Sequence, residues 1–291
     1  MRLPSSAEAV EAVQAVREAP WSLWSRQLRA ILALEARKMT SGRRAAFPAF
    51  LALAPVLLFS IRLGVLSLMN AGAPTNPEMA SQEFANFFQT VLLRLVVFFG
   101  CVALFTALFR GEVQERTLHY YFLSPVRREV LVAGKYLAGL LATIVLFCGS
   151  VGLCYILFFA PFGRAAVLEH LRGGGLGHLG AYLSVTALAC LGYGAVFLAL
   201  GLLQKNAVVT SVGVLGWESF NFMMPPLVKK ISVVHYLQSL CPVPVNEGPL
   251  ALIAQPTPPR FAILCLVVVA TALLVLAAWR LRRVEVLYTG E

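Results

Sequence analysis

Val132-Ala-Gly-Lys-Tyr-Leu-Ala-Gly-Leu-Leu-Ala-Thr-Ile-Val-Leu-Phe-Cys-Gly-Ser-Val-Gly-Leu-Cys-Tyr-Ile-Leu-Phe-Phe159 holds one charged residue, Lys135, close to its start, and no proline. A helix crosses about 30 Å of hydrocarbon with about 20 residues at 1.5 Å each, and this block exceeds that length. Similar apolar blocks recur at Phe47–Leu68, Leu92–Phe109, Leu179–Leu203, Ala207–Met224 and Phe261–Trp279. The sequence therefore predicts an all-α membrane protein with six transmembrane helices.

Composition points the same way, since 59% of the residues are hydrophobic and 13% charged. A soluble domain of that make-up would lack the polar surface to cover its core. The formal charge of +10 could serve nucleic acid. However, the basic residues sit at the ends of apolar blocks, and no polar stretch is long enough for a groove-reading module, so nucleic acid is not an expected partner. Cys101, Cys148, Cys154, Cys190 and Cys265 lie inside apolar blocks and Cys241 in a loop without CxxC spacing, which argues against disulfide and zinc frameworks.

Arg37, Lys38, Arg43 and Arg44 precede span 1; Arg110, Arg116, Arg127, Arg128 and Lys135 lie between spans 2 and 3; Lys205 separates spans 4 and 5; Arg280, Arg282 and Arg283 follow span 6. The opposite loops hold Arg164, Arg172, Lys229, Lys230 and Arg260. This bias places both termini in the cytoplasm. Residues 1–20 lack the apolar core of a signal peptide and read as a cytoplasmic tail, and residues 284–291 as a second one. Residues 46–283 then form the membrane domain.

Within residues 21–45, Trp21, Trp24, Leu28 and Ile31 recur at helical spacing while Arg26, Arg29 and Arg37 occupy another side. That is the pattern of an amphipathic helix, lying in the membrane interface or packed on the same protein. Between spans 5 and 6, Pro225, Pro226, Pro242, Pro244, Pro249, Pro256, Pro258 and Pro259 exclude a continuous helix. Leu227–Leu240 between them can form a short re-entrant or outer helix, so the outer face should carry a compact cap.

The loop after span 2 reads Arg110-Gly-Glu-Val-Gln-Glu-Arg-Thr-Leu-His-Tyr-Tyr-Phe-Leu-Ser-Pro-Val-Arg-Arg-Glu-Val-Leu-Val-Ala-Gly-Lys135. Thr117 can cap a short helix, Leu118, Tyr121 and Phe122 share one side of it, and Pro125 ends it. Such a helix suits docking, with the aromatic side filling a pocket on a cytosolic partner and Glu112, Glu115 and Arg116 forming a charged rim.

At these residues the chain resembles the ABC-2 type permeases, or type V exporters, whose loop carries an acidic pair, Gly-Thr-Leu, Ser-Pro, a basic residue, and Gly-Lys opening span 3. Glu112, Glu115, Thr117, Leu118, Ser124, Pro125, Arg128, Gly134 and Lys135 match, while Arg116 replaces the usual small residue. The resemblance implies that the loop is a coupling helix docking on a separate ATPase, with Glu112, Glu115, Arg116, Thr117, Leu118, Tyr121, Phe122, Pro125, Arg128 and Lys135 as its coupling residues. It further implies a homodimer with two ATPase subunits in a bacterial cytoplasmic (inner) membrane, moving a lipid-like or amphipathic substrate. The chain has no Gly-x-x-x-x-Gly-Lys-Ser/Thr loop, so ATP and magnesium belong to the partner. It also has no aspartate, HExxH or GxSxG, so no catalytic residues and no bound cofactor are expected. A secondary transporter or channel is the rival reading.

Gly175-Leu-Gly177-His-Leu-Gly180 spells a dinucleotide fingerprint, but at the start of a span with no strand before it, and reads as coincidence. His170, His178 and His235 share the predicted outer side without spacing that demands a metal, and His119 lies in the loop. Arg62, Arg94 and Glu218 lie within spans, where an ionised group needs a partner or water. Glu218 either pairs with one of the arginines to fix the packing or joins them in lining a translocation path. Ser211, Glu218 and Asn221 form one polar stripe of span 5, so the candidate path residues are Arg62, Arg94, Ser211, Glu218 and Asn221.

Overall fold

The computed structural model describes residues 21–41, 46–69, 77–114, 127–204, 206–245 and 257–282. Among them all regular structure is helical. α1 (Trp21–Ser41) is followed by α2 (Ala46–Leu68). α3 (Pro77–Phe87) passes through a wider π-helical stretch, Phe88–Val97, into α4 (Phe98–Gln114). α5 (Arg128–Phe159) leads by a 3₁₀ turn to the short α6 (Arg164–His170). Gly174, at φ 118° in a region open to glycine, kinks the chain before α7 (Leu176–Leu203). α8 (Ala207–Ser219), α9 (Pro226–Lys229), α10 (Val233–Ser239) and α11 (Pro259–Arg282) complete the order.

Among the described residues five helical stretches are long and apolar enough to cross a membrane: Ala46–Leu68, Met79–Gly111, Arg128–Phe162, Val167–Leu203 and Pro259–Arg282. The expected second and fourth spans thus begin well before Leu92 and Leu179. The expected fifth span is shorter than Ala207–Met224. α8 ends at Ser219 and tightens into 3₁₀ turns over Phe220–Met223. Its 13 residues rise about 20 Å, less than the hydrocarbon thickness. The expected helix Leu227–Leu240 is two short helices, α9 and α10, because the chain turns at Lys230 and Ile231 before Ser232 starts α10.

The core is built where small residues let helices touch, the packing mode open to helices that gain nothing from hiding apolar surface from lipid. A Cβ at Gly100 of α4 would lie 1.9 Å from Phe147 Cζ of α5, and one at Gly194 of α7 would lie 2.6 Å from Phe105 Cζ of α4. At Gly201 the α7 backbone approaches the α4 backbone, with the Thr106 carbonyl oxygen 3.2 Å from such a Cβ. At the end opposite the basic residues, Phe84, Tyr155 and Tyr182 pack edge to face at 5.1–5.3 Å between ring centres. By contrast α2 and α11 keep most of their apolar side chains exposed, among them Phe50, Leu57, Ile61, Val268 and Val275. Those faces suit lipid or another apolar partner.

Candidate functional site

The end bearing Arg127, Arg128, Arg280 and Arg282 is tied together by charges that converge on the first turns of α5. Lys135 is fully buried and its Nζ lies 2.6 Å from Oε1 of Glu35, itself 2% exposed. The same ammonium donates to the Leu108 carbonyl of α4 at 3.3 Å and stands 5.3 Å from the centre of the Phe109 ring. Three elements, α1, α4 and α5, thus meet at one buried ion pair. Gly134 admits Ile31 of α1 beside it, since a Cβ there would lie 2.8 Å from Ile31 Cγ2.

Two turns earlier, Arg127 stands over the Trp24 ring at 4.7 Å. Arg128 donates to the carbonyls of Leu281 and Arg282 at 2.8 and 2.6 Å, so a cation caps the free carbonyls ending α11. Arg282 in turn pairs with Glu129. α1 is therefore amphipathic as expected and packs along α5, with Ile31 and Glu35 buried and Arg26 and Arg29 exposed.

Among the coupling candidates, Arg128 and Lys135 are thus placed in contacts within the chain. Lys135 is fully buried and offers no surface to a partner. Glu115, Arg116, Thr117, Leu118, Tyr121, Phe122 and Pro125 lie outside the described residues, as does the side chain of Glu112. Leu108 and Lys135, whose contact spans the two stems of that loop, hold its ends together.

At the other end, Glu218 is 5% exposed, and Arg62, one of the two arginines weighed from sequence as its partner, is bound elsewhere. Its Oε2 accepts from Ser232 Oγ at 2.7 Å and from the Val234 amide at 2.9 Å, and its Oε1 accepts from the Val233 amide at 3.0 Å. Tyr193 of α7 points its hydroxyl at the same carboxylate, 3.5 Å away. Asn221 donates to Ser232 Oγ at 3.1 Å. The carboxylate takes the place of a side-chain cap on α10, satisfying amides that begin a helix. Ser211 is likewise buried, so the whole stripe faces the interior of this chain.

Arg62 sits elsewhere: it donates to the Phe158 carbonyl at 3.4 Å and lies 5.0 Å from that ring's centre, near the last turn of α5. Arg94 is half-buried in the π-helical stretch and within electrostatic reach of Tyr193. The structure therefore gathers Glu218 and Asn221 around Ser232, and sends Arg62 to another contact.

The cap formed by α9, α10 and the chain after them is held from below. Gln82 and Gln89 donate to the carbonyls of Pro244 and Val243 at 3.1 and 3.2 Å. His235 bonds Thr257 at 3.1 Å, joining the cap to the start of α11. Burial pushes the Cys241 thiol up to about 12, so it stays protonated. His170 bonds the Tyr155 hydroxyl at 3.0 Å and stacks on Phe159, and the Gly175 carbonyl accepts from the same hydroxyl, so both are engaged within the chain. No cluster of His, Cys, Asp or Glu suited to a metal occurs among the described residues.

Sequence reading missed Glu35, Tyr193 and Ser232. Glu35 carried a signal, being the one acidic residue of α1 and one turn after Ile31 on its apolar side.

A profile of ABC-2 family transporter proteins matches residues 31–215, from the buried side of α1 through α8. The chain belongs to the ABC-2 family. It is an integral membrane protein and the transmembrane permease of an ABC transporter, a family of transport subunits that typically work with ATPase subunits. No curated protein and no solved structure matches it. The ABC-2 match takes in both stems of the loop, and so covers the ion pair that binds the permease's α1 to α5.

Proposed function

We propose that this permease is half of an ATP-driven exporter of the type V kind, in which two copies form the path and two separate ATPase subunits dock on the loop between α4 and α5. The observation that carries this reading is the ion pair of Glu35 and Lys135 at the base of that loop. A loop displaced by a partner needs stiff stems, and here the stems are joined by Lys135 to each other and to α1, while Arg128 joins them to α11. Glu112, Glu115, Arg116, Thr117, Leu118, Tyr121, Phe122 and Pro125 then supply the contact with the ATPase. Arg128 and Lys135 carry its movement into the bundle.

In this reading the basic end is cytoplasmic, in a bacterial inner membrane, and the chain passes the membrane six times. α8 with its 3₁₀ extension to Met223 rises about 28 Å, nearly the hydrocarbon thickness, and serves as the fifth pass. Glu218 and Asn221 hold the outer cap to that pass, so movement of α8 moves the cap, and the buried stripe of Ser211, Glu218 and Asn221 backs the wall that α8 turns to the path. Outward, α8 presents Val209, Val212 and Phe220, an apolar wall suited to a lipid-like or amphipathic substrate. The substrate moves outward or into the outer leaflet as ATPase closure rocks the helices.

The test is purification of the tagged chain from its native membranes with mild detergent. A nucleotide-binding subunit should accompany it at two per two permeases, and ATP hydrolysis should reside in that subunit. Transport by the purified chain alone in vesicles would establish the rival secondary transporter.

A further inference from the structure

α3 runs back along α2 and turns a polar line away from the rest of the chain. Glu83 and Asn86 are exposed, and Thr90, exposed one turn further on, donates to the Asn86 carbonyl. At about 100° per residue, Glu83 and Asn86 lie between Gln82 and Phe87 around the helix. Gln82 bonds the cap at Pro244, while Phe87 meets Phe59 of α2 edge to face with ring centres 4.8 Å apart. The polar line is therefore the floor of a groove between the cap and α2.

The level of this line decides what can cover it. Phe59 is nine residues short of Leu68, so its partner Phe87 stands about 14 Å inside the outer end of α2. Glu83, one turn nearer that end, still lies below it. Over the same level α2 exposes Ile61, Val65 and Leu68. Lipid suits those side chains, but it offers nothing to the carboxylate of Glu83 or the amide of Asn86. At one depth, then, α2 and α3 face different surroundings.

We propose that the line of Glu83, Asn86 and Thr90 faces the second copy of the permease across a water-filled vestibule open to the outer side. The inference rests on the two-copy reading and adds to it the helix face that bounds the path at its outer end. A two-fold axis along the membrane normal sets each residue opposite itself. Glu83 then stands across from Glu83 of the partner subunit, and the two like charges hold the copies apart and keep water between them. Each copy lines the vestibule with a carboxylate, an amide and a hydroxyl.

The experiment adds one cysteine at a time to the full chain in right-side-out membrane vesicles and measures its reaction with a membrane-impermeant methanethiosulfonate, above the background of the parent chain. Glu83→Cys, Asn86→Cys and Thr90→Cys should each react at least about tenfold faster than Ile61→Cys or Val65→Cys, because a thiolate forms in water and not in lipid. A long flexible bis-maleimide should then join two copies through Asn86→Cys and not through Val65→Cys. Reaction of Asn86→Cys and Thr90→Cys as slow as that of Val65→Cys would overturn the vestibule. So would dimers, seen by light scattering of the purified chain, that cross-link through Val65→Cys or Val268→Cys but not through Asn86→Cys, a result that leaves the two-copy reading standing. A monomeric mass would remove the two-copy reading and this assignment with it.

Discussion

Removing either partner of the Glu35–Lys135 pair should destabilise the fold, and unequally. Lys135→Met keeps the length of the side chain and leaves Glu35 with Lys38 at 3.8 Å, a partner one-third exposed. Glu35→Leu leaves a fully buried ammonium with the Leu108 carbonyl at 3.3 Å. Breaking a buried pair from one side costs about 3–5 kcal/mol, so Lys135→Met belongs near the lower figure and Glu35→Leu near the upper. Replacing both by apolar groups of similar volume is close to neutral, so the double variant should lie within about 1 kcal/mol of the parent. The cycle should therefore show a coupling of at least about 3 kcal/mol. The assay is reversible denaturant unfolding of the purified chain in mixed micelles. Single variants within about 1 kcal/mol of the parent, or a double variant no better than the worse single one, would refute the assignment of a buried, mutually dependent pair.

Glu218→Ala should cost about 3 kcal/mol by stranding the amides of Val233 and Val234, and Glu218→Gln less, because one carbonyl oxygen remains to accept. Arg62→Leu should not restore either variant; restoration in unfolding curves would return Glu218 to an arginine pair. Gly100→Ala should cost about 1–3 kcal/mol through its collision with Phe147, and Phe147→Leu should recover most of it, as thermal melts of the pair would report. Cys241, with its thiol pushed up to about 12, has far less thiolate at pH 8 than a free cysteine. Maleimide should react there roughly a thousandfold slower in the folded chain than after denaturation, and faster as pH rises, whereas labelling at the free rate would contradict its burial.

The spans were legible because lipid imposes one requirement, a long apolar run, and α2, α5 and α11 each meet it within a few residues of the expected bounds. The start of α3 was not, since Pro77–Phe87 is polar enough to pass for a loop and becomes helical by packing Phe84 into the aromatic cluster. The end of α8 carries no glycine or proline between Ser219 and Met224, so periodicity ran through it. It ends where Asn221 reaches across to Ser232. Glu218 was singled out as a charge within a span, but its partners include two backbone amides, which leave no mark in a sequence. Lys135 was read as part of a docking motif, although Leu131 and Gly139, one turn to either side, already put it on the buried face of α5.

The central claim is that an ATPase docks on the loop between α4 and α5 and acts through the pair at its base. The most direct measurement is recovery of the nucleotide-binding subunit with tagged permease carrying Leu118→Glu and Tyr121→Glu, beside a check of membrane insertion. The account predicts that the inserted variant loses the ATPase while Lys135→Met retains it and loses transport-coupled hydrolysis. Undiminished recovery of the ATPase with the loop variant would contradict it.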